Sequence, residues 1–389
     1  MRPLFLLLLL LNAPLAAFEN ITALYLSWYK DPTTTMTIQW HSDLEEDAVH
    51  CEGPDGQTAT HNGAHHLFPG EEIFIHTVTL EGLEPDTEYR FQINEEVDSY
   101  TFRTAPTQLS APLRFVIGGD LYRSPKLFRK MGKTVVAQGP LFAVLGGDLA
   151  YAIDRARNLF SSPSRRWRQF LADWKETLVA ANNRLIPMLI VSGNHDLAPD
   201  DYELFFSLFA FPKKELYRAV DFGSYLSLIL LDTGHFQPIE GRQTVWLEKA
   251  LASRKSIPYL FAIYHEGAYP SFYSFQAPNP KKIRANWCPL FDKYGLQAAF
   301  EHHSHTYKKT FPMKAGSIDP NGTFYFGDGC WGVPPRKPSE NWYLEKRARK
   351  NNVYLVELSS DSASIQAIAL NGETLDTTTI QSQRPLVHP

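Results

Sequence analysis

Short apolar and alternating segments mark the first quarter of the chain. They lie at residues 24–28, 36–40, 73–80 and 89–93, and polar turns separate them. Alternation over roughly four to eight residues is typical of strands with one buried face. Strands at this spacing over about a hundred residues predict an antiparallel β-sandwich. The expected N-terminal domain, at residues 18–104, is therefore all-β.

From residue 113 onward the pattern changes to strands that alternate with longer amphipathic stretches. The predicted strands are 113–117, 141–145, 186–191, 225–231, 259–264 and 296–300, and the predicted helices are 125–138, 165–182, 243–253 and 281–294. Further strands are predicted at 307–313, 323–326, 353–358 and 364–370. This order indicates an α/β sandwich with mixed sheets over residues 113–389. Residues 105–112, with prolines and small polar residues, are predicted to link the two domains.

The first 17 residues have the three-part plan of a signal peptide. Arg2 precedes an apolar run at residues 4–11, and small residues follow up to Ala17. The run is too short to span a bilayer. The sequence therefore predicts an exported protein without a membrane span in its mature chain. It would be secreted or periplasmic, or lysosomal or extracellular in a eukaryote.

Composition and net charge indicate a globular protein that does not bind nucleic acid. The 389 residues are 44% hydrophobic and 21% charged, which is typical of globular proteins. A formal net charge of -4 provides no general attraction to nucleic acid, so no nucleic-acid partner is expected. The three cysteines, Cys51, Cys288 and Cys330, do not form a disulfide framework, although one pair is possible. The oligomeric state stays open.

Polar side chains follow several of the predicted strands of the second domain. In open α/β sheets the carboxyl ends of parallel strands carry the ligand-binding loops. Oxygen and imidazole donors in this mixture suit iron, manganese or zinc better than calcium or magnesium. The sequence therefore predicts a metal centre. Its candidate ligands are Asp120, Asp148, Tyr151, Asn194, His265, His303 and His305.

The order and spacing of these residues resemble the calcineurin-like metallophosphoesterase superfamily. Its five blocks correspond to Asp120-Leu121-Tyr122, Gly147-Asp148-Leu149-Ala150-Tyr151, Gly193-Asn194-His195-Asp196, His265 and His302-His303-Ser304-His305. The tyrosine that ends the second block is similar to that of the purple acid phosphatase branch, which also carries a fibronectin type III-like domain in front. In the first domain, the turn before Tyr89 resembles the fibronectin corner, in which the tyrosine hydroxyl holds the turn.

The resemblance implies a ligand set and a reaction. Asp120, Asp148, Tyr151 and His305 would bind Fe(III), and Asp148 would bridge to a second ion, Fe, Zn or Mn. Asn194, His265 and His303 would complete that second site. His195 would be the catalytic residue outside the coordination sphere. The expected reaction is hydrolysis of a small phosphomonoester by a metal-bound hydroxide, as in acid phosphatases.

Several positions depart from the family pattern. Tyr122 stands at a glycine or histidine position, His302 stands at a glycine position, and Tyr269 and Tyr273 replace histidines. Tyr122, Tyr269 and His302 are therefore predicted as substrate contacts. Two other functions stay open: a phosphodiesterase acting on nucleotides or phospholipid headgroups, and a binding protein that kept its metals and lost turnover.

The remaining charged residues and histidines are predicted to have structural roles or to be solvated. Asp196 is predicted to orient a neighbouring ligand, since carboxylates beside a metal centre often do so. Lys308 and Lys309 are predicted at the surface. His61, His65 and His66 are predicted as solvated histidines on a loop.

Overall fold

The computed structural model describes residues 21–154, 161–198, 202–211, 213–327 and 329–383. The predicted signal peptide, residues 1–17, lies outside these ranges. Within them, no helix is both long enough and apolar enough to cross a membrane.

The N-terminal domain is the predicted β-sandwich. Its sheets have the strand orders β1-β2-β6-β5 and β4-β3-β7-β8, and all neighbouring strands are antiparallel. The eight strands are β1 Ala23–Ser27, β2 Thr35–Ser42, β3 Ala48–Glu52, β4 Thr58–Asn62, β5 Ala64–Leu67, β6 Phe74–Glu81, β7 Glu88–Ile93 and β8 Ser99–Arg103. The hydroxyl of Tyr89 accepts a hydrogen bond from the Glu84 amide at 2.7 Å. This contact holds the turn before β7, as the sequence indicated.

Within the described residues, the second domain combines fifteen strands and six α-helices. In its first part these are β9 Leu113–Gly118, α1 Pro125–Ala137, β10 Phe142–Gly146, α2 Pro163–Thr177, β11 Met188–Val191, α3 Tyr202–Leu208, β12 Arg218–Phe222, β13 Leu226–Leu230, α4 Arg242–Ser253 and β14 Tyr259–Glu266. In its second part they are α5 Pro278–Asn286, α6 Cys288–Tyr294, β15 Ala298–His302, β16 Tyr307–Thr310, β17 Met313–Lys314, β18 Ser317–Ile318, β19 Phe324–Gly327, β20 Leu344–Ala348, β21 Asn352–Leu358, β22 Ser362–Ala369 and β23 Thr374–Gln381.

Two mixed sheets form the centre of this domain. One has the order β11-β10-β9-β21-β22-β23 and the other the order β12-β13-β14-β15-β19-β16-β20. Strands β9, β10 and β11 are parallel, and so are β13, β14 and β15. Phe115 and Ile117 of β9 face the core between the sheets, whereas Val116 faces the outer layer of α1 and α2. The predicted α/β sandwich with mixed sheets is therefore confirmed.

The two domains share a continuous hydrophobic core. The Trp28 ring meets those of Phe142 and Phe222 edge-on, at centroid distances of 5.7 and 5.8 Å. The Tyr25 hydroxyl donates to the Leu208 carbonyl oxygen at 2.6 Å. The sandwich is thus packed against the second domain by both apolar and polar contacts.

Some element boundaries and one surface prediction were wrong. The helix predicted at 281–294 is two helices, because Pro289 has no N–H to continue the ladder of α5 and lies instead in the first turn of α6. The predicted surface lysines Lys308 and Lys309 are buried, at 0% and 6% exposure. Both lie on β16, inside the second sheet, where carboxylates pair with them.

Candidate metal centre

Five of the seven candidate ligands have a left-handed backbone. Their φ values lie between 52° and 75°, a region that residues other than glycine rarely adopt. Such strain persists only where the surrounding structure enforces it, and it concentrates at functional sites. The five are Asp120, Asp148, Tyr151, His303 and His305. All follow the carboxyl ends of central strands, so the chain turns sharply there to direct these side chains inward.

One cluster lies where β9 and β10 end. The Asp120 carboxylate is 2.8 Å from Nε2 of His305 and accepts a hydrogen bond from the Tyr151 hydroxyl at 3.1 Å. The same hydroxyl is 3.1 Å from Nε2 of His305. The other carboxylate oxygen of Asp120 accepts from the His303 amide at 2.9 Å. Asp148, Asp120 and His305 together are close enough to hold one ion.

A second cluster lies beside the first, at the ends of β10, β11 and β14. Nε2 of His265 is 3.1 Å from the side-chain oxygen of Asn194 and 3.4 Å from Oδ1 of Asp148. The rings of His265 and His303 are 5.1 Å apart. Asp148, His265 and His303 could hold an ion between them. Both clusters contain Asp148, so its carboxylate lies between the two groups of donors.

The donor set fits cations. Nδ1 of His265 donates to the Gly146 carbonyl oxygen at 2.9 Å, which leaves Nε2 to face two oxygens. This second hydrogen bond is typical of ligating histidines, because it fixes the tautomer and the ring. Oδ2 of Asp148 is buried and has no hydrogen-bond partner among the described residues. Burial opposes the charged form of His265, yet the Asp148 carboxylate outweighs it and raises the histidine pKa to about 10. The site therefore attracts positive charge.

The carboxylates that favour the charged form of His265 disfavour the charged form of Tyr151. Burial raises its pKa well above the ordinary value, and the Asp120 and Asp148 carboxylates raise it further. Its phenol is therefore ionised only if a cation offsets both carboxylates.

Asp196 positions the loops that carry the ligands. Its carboxylate accepts hydrogen bonds from the Leu149 and Gly193 amides, at 2.8 and 2.9 Å. It therefore joins the loop after β10 to the loop after β11. This matches the orienting role predicted from the sequence.

His195 lies at the open side of the centre. Its amide donates to Oδ1 of Asp148 at 2.8 Å, and its ring stacks on that of Tyr151 at 4.8 Å. The imidazole is only partly buried. A ligand that reaches the first cluster would therefore meet this ring.

Two of the predicted substrate contacts are wrong. Tyr122 is 3% exposed, and its hydroxyl donates to Asp173 at 2.5 Å, within the outer layer of α1 and α2. Tyr269 is 2% exposed, and its ring packs on Tyr325 at 4.6 Å. Both rings lie in hydrophobic cores, where a substrate does not reach them.

His302 is also wrongly predicted as a substrate contact. It is 1% exposed, and neither ring nitrogen has a hydrogen-bond partner in the described part of the chain. Its ring occupies space beside Gly119 and Gly146, where a Cβ at either glycine would clash with it. Burial lowers its pKa well below the ordinary value, and the neighbouring His265 lowers it further. His302 is therefore a neutral packing residue beneath the ligands.

Tyr273 and Arg336 form a polar pair beside the second cluster. The Tyr273 ring stacks on His303 at 4.4 Å, and its hydroxyl accepts from Nη1 of Arg336 at 2.7 Å. The Arg336 amide donates to the His305 carbonyl oxygen at 2.8 Å. No carboxylate of the described residues is within ion-pair distance of this guanidinium. Sequence reasoning missed Arg336, because it lies in a loop far along the chain from every block.

His235 is a second residue that the sequence analysis missed. Its ring is 5.7 Å from that of His265, and burial together with the charge of His265 lowers its pKa. It follows β13 in the sequence Asp232-Thr233-Gly234-His235, so the strand-end rule applied to the other ligands would have found it. The Asp232 carboxylate accepts from the His235 amide at 2.9 Å and shapes this turn.

Two family models match this chain. Residues 113–307, half of the chain, match the family model described as calcineurin-like phosphoesterase, so the chain belongs to that family. Residues 21–105 match the model described as the purple acid phosphatase N-terminal domain. With both domains in this order, the chain is a purple acid phosphatase-like member of the family.

Individual relatives are distant. Purple acid phosphatase 23 of Arabidopsis thaliana is 25% identical over 304 residues, which cover 68% of this chain and 65% of that protein. Probable inactive purple acid phosphatase 27 of the same plant is 24% identical, and the match covers 62% of this chain and 44% of the relative. This chain therefore spans less than two thirds of the length of either protein.

A solved structure shares the fold. Purple acid phosphatase PPD1 from yellow lupin seeds superposes with a TM-score of 0.76, over 92% of this chain and 74% of that one, at 18% identity. This likeness concerns the arrangement of both domains.

Proposed function

We propose that the chain is an exported phosphatase that hydrolyses phosphomonoesters to an alcohol and inorganic phosphate. Asp120, Asp148, Tyr151 and His305 would hold Fe(III), and Asp148, Asn194, His265 and His303 would hold Fe, Zn or Mn. When bound, such a pair of cations neutralises phosphate oxygens and lowers the pKa of water. The observation that supports this proposal is that two donor clusters share one carboxylate, that of Asp148.

The chain's own groups would act on the substrate from two sides. His195 lies beside Tyr151, so its imidazole would hydrogen-bond a phosphate oxygen or give a proton to the departing alcohol oxygen. Tyr273 and Arg336 lie beside His303, so the guanidinium would bind the phosphoester from the other cluster. Arg336 is suited to this role because planar guanidinium groups bind phosphate through two parallel hydrogen bonds.

Metal analysis and hydrolysis of p-nitrophenyl phosphate test the proposal together. We expect two ions per chain and turnover in the unaltered protein. Asp148→Asn should lose both ions and lower kcat/KM on the order of 10³-fold or more, because both clusters lose their shared charge. Asp361→Asn, at an exposed turn, is the matched control and should change neither quantity. Bound metal without turnover in the unaltered protein would instead support a binding protein.

The bis(p-nitrophenyl) ester distinguishes the monoesterase from a phosphodiesterase. We expect a higher kcat/KM for the monoester. The reverse ranking would favour the diesterase while leaving the metal centre intact. The visible spectrum tests the first metal: a tyrosinate-to-iron band should be lost in Tyr151→Phe, whereas a colourless active protein would exclude iron at that position.

A further inference from the structure

We propose that the N-terminal sandwich carries a separate binding site for one divalent ion, most suitably zinc. The ligands are Asp47, His65 and His76, which come from the loop before β3, from β5 and from β6. The sequence analysis placed His65 on a solvated loop. In the structure it lies instead on an edge strand, where two further donors meet it.

Strand pairing brings the two histidines together. His65 of β5 is directly opposite His76 of β6, so both side chains lie on the same face of the sheet. Their ring centroids are 5.6 Å apart. The Gly63 amide donates to the Asp47 carbonyl oxygen at 3.1 Å, which holds the loop of Asp47 against the start of β5.

The donor atoms converge as closely as those of the metal centre in the second domain, which is called the phosphoesterase centre below. Nδ1 of His76 is 2.6 Å from one Asp47 oxygen, and Nδ1 of His65 is 2.8 Å from the other. In the phosphoesterase centre, Nε2 of His305 lies at the same 2.8 Å from Asp120. The ligand atoms of each of the three clusters lie within 4.8 Å of one another. An ion would replace the protons between these atoms with only small side-chain shifts.

A second layer of contacts fixes the donors. The other nitrogen of His76 is 2.9 Å from the Ser42 hydroxyl, and the Trp40 ring stacks on His76 at 4.6 Å and 5°. Phe74 packs edge-on against His65 at 4.9 Å. Ligating imidazoles characteristically bond through their second nitrogen to such a neighbour, which orients the first toward the ion.

Exposure and donor type indicate the ion. The side chain of His76 is fully buried, but those of His65 and Asp47 are 27% and 17% exposed, so an ion and a completing water would arrive from the sheet edge. Two imidazoles with one carboxylate suit zinc, whereas calcium and magnesium prefer oxygen ligands. A bound ion would tie the edge strand β5 and the loop of Asp47 to the sheet interior.

Zinc counting on the full chain tests this site. After equilibration with zinc and gel filtration, the unaltered protein should retain one more zinc ion per chain than His65→Gln. His61→Gln, on the neighbouring strand β4, is the matched control and should retain as many ions as the unaltered protein. Equal zinc counts in all three proteins would show that Asp47, His65 and His76 are only a hydrogen-bonded triad.

Cobalt spectroscopy separates this site from the phosphoesterase centre. In an Asp148→Asn background, added Co²⁺ should give a visible band from the sandwich, and adding His65→Gln should remove it. Far-UV circular dichroism verifies that each variant is folded. A band that survives His65→Gln would overturn the assignment, whatever the outcome for phosphatase activity.

Discussion

At the scale of single residues, His195 is the imidazole best placed to act on a substrate without holding an ion. Its amide, not its ring, is bonded to Asp148, and the ring is partly exposed beside Tyr151. His195→Asn should therefore lower kcat for p-nitrophenyl phosphate by about 10²–10³-fold, typical of a lost proton donor, while metal content is unchanged. Elemental analysis with steady-state kinetics measures both. Loss of metal would show that His195 is itself a ligand.

Arg336 should affect substrate binding more than chemistry. Its guanidinium bonds the Tyr273 hydroxyl, and the Tyr273 ring stacks on His303, so we expect it to bind the substrate without taking part in bond cleavage. Arg336→Ala should raise KM by roughly tenfold, which corresponds to about 1.4 kcal/mol from one charged hydrogen bond. We expect kcat to change little. Lys337→Ala, an exposed neighbour, controls for loop charge. A fall in kcat at constant KM would contradict this role.

The positions of the candidate ligands could be predicted from the sequence, but the surroundings of Tyr269 and Tyr273 could not. The seven candidate ligands could be chosen because each follows a predicted strand, and strand ends share one edge of a sheet. Tyr269 and Tyr273 lie on the same loop, yet one is packed in a core and the other stacks on His303. Only the path of the loop between them decides this, and no periodicity in the sequence encodes that path.

At the scale of elements, a buried ion pair connects β15, β16 and the loop after β14. Glu301 pairs with Lys308, and both side chains are fully buried. The Glu301 carboxylate also accepts from the Tyr264 hydroxyl at 2.7 Å and the Ala268 amide at 2.6 Å. This network holds the loop that carries Tyr273. It was not predicted, because two lysines on a polar stretch are usually solvated.

Lys308→Met should destabilise the protein by about 3–5 kcal/mol, because it leaves the Glu301 charge buried without a cation to pair with it. Adding Glu301→Gln removes that charge, so the double variant should recover at least half of the loss. Urea unfolding of the two single variants and the double variant measures the coupling. Purely additive effects would show that Glu301 and Lys308 act independently.

Element prediction succeeded where the sequence shows a clear apolar run or alternation, and it failed at largely exposed edge strands. The parallel strands β10 and β11 are continuous apolar runs, which the sequence displays directly. The edge strands β5 and β20 are largely exposed and have no such run. Their existence depends on pairing with a neighbour distant in sequence, and His65 was misplaced for this reason.

At the scale of the whole molecule, the two domains should unfold as one unit. Trp28 of the sandwich contacts Phe142 and Phe222 of the second domain within a single core. The predicted order of domains could be obtained from the change in hydrophobic period alone. Their packing could not, because a continuous core is formed by residues about a hundred or more positions apart.

His41 makes the stability of this unit depend on pH. Burial, the charge of Arg168 and the neighbouring His76 lower its pKa from 6.5 to about 3. Its ring lies edge-on to Phe68 at 5.2 Å, and Nδ1 has no hydrogen-bond partner among the described residues, so protonation is costly in the fold. The unfolded chain binds the proton near pH 6.5 and the folded chain does not, so stability is complete above 6.5 and falls as the pH decreases toward 3.

Between pH 7.5 and about 5, His41 alone should remove about 2 kcal/mol of the free energy of unfolding. Urea titrations at pH 7.5 and pH 5 measure the fall in the free energy of unfolding. In His41→Gln, whose side chain does not titrate, this fall should be about 2 kcal/mol smaller than in the unaltered protein. An identical loss in both proteins would mean that the His41 pKa is close to 6.5 in the fold, and that other groups cause the acid sensitivity.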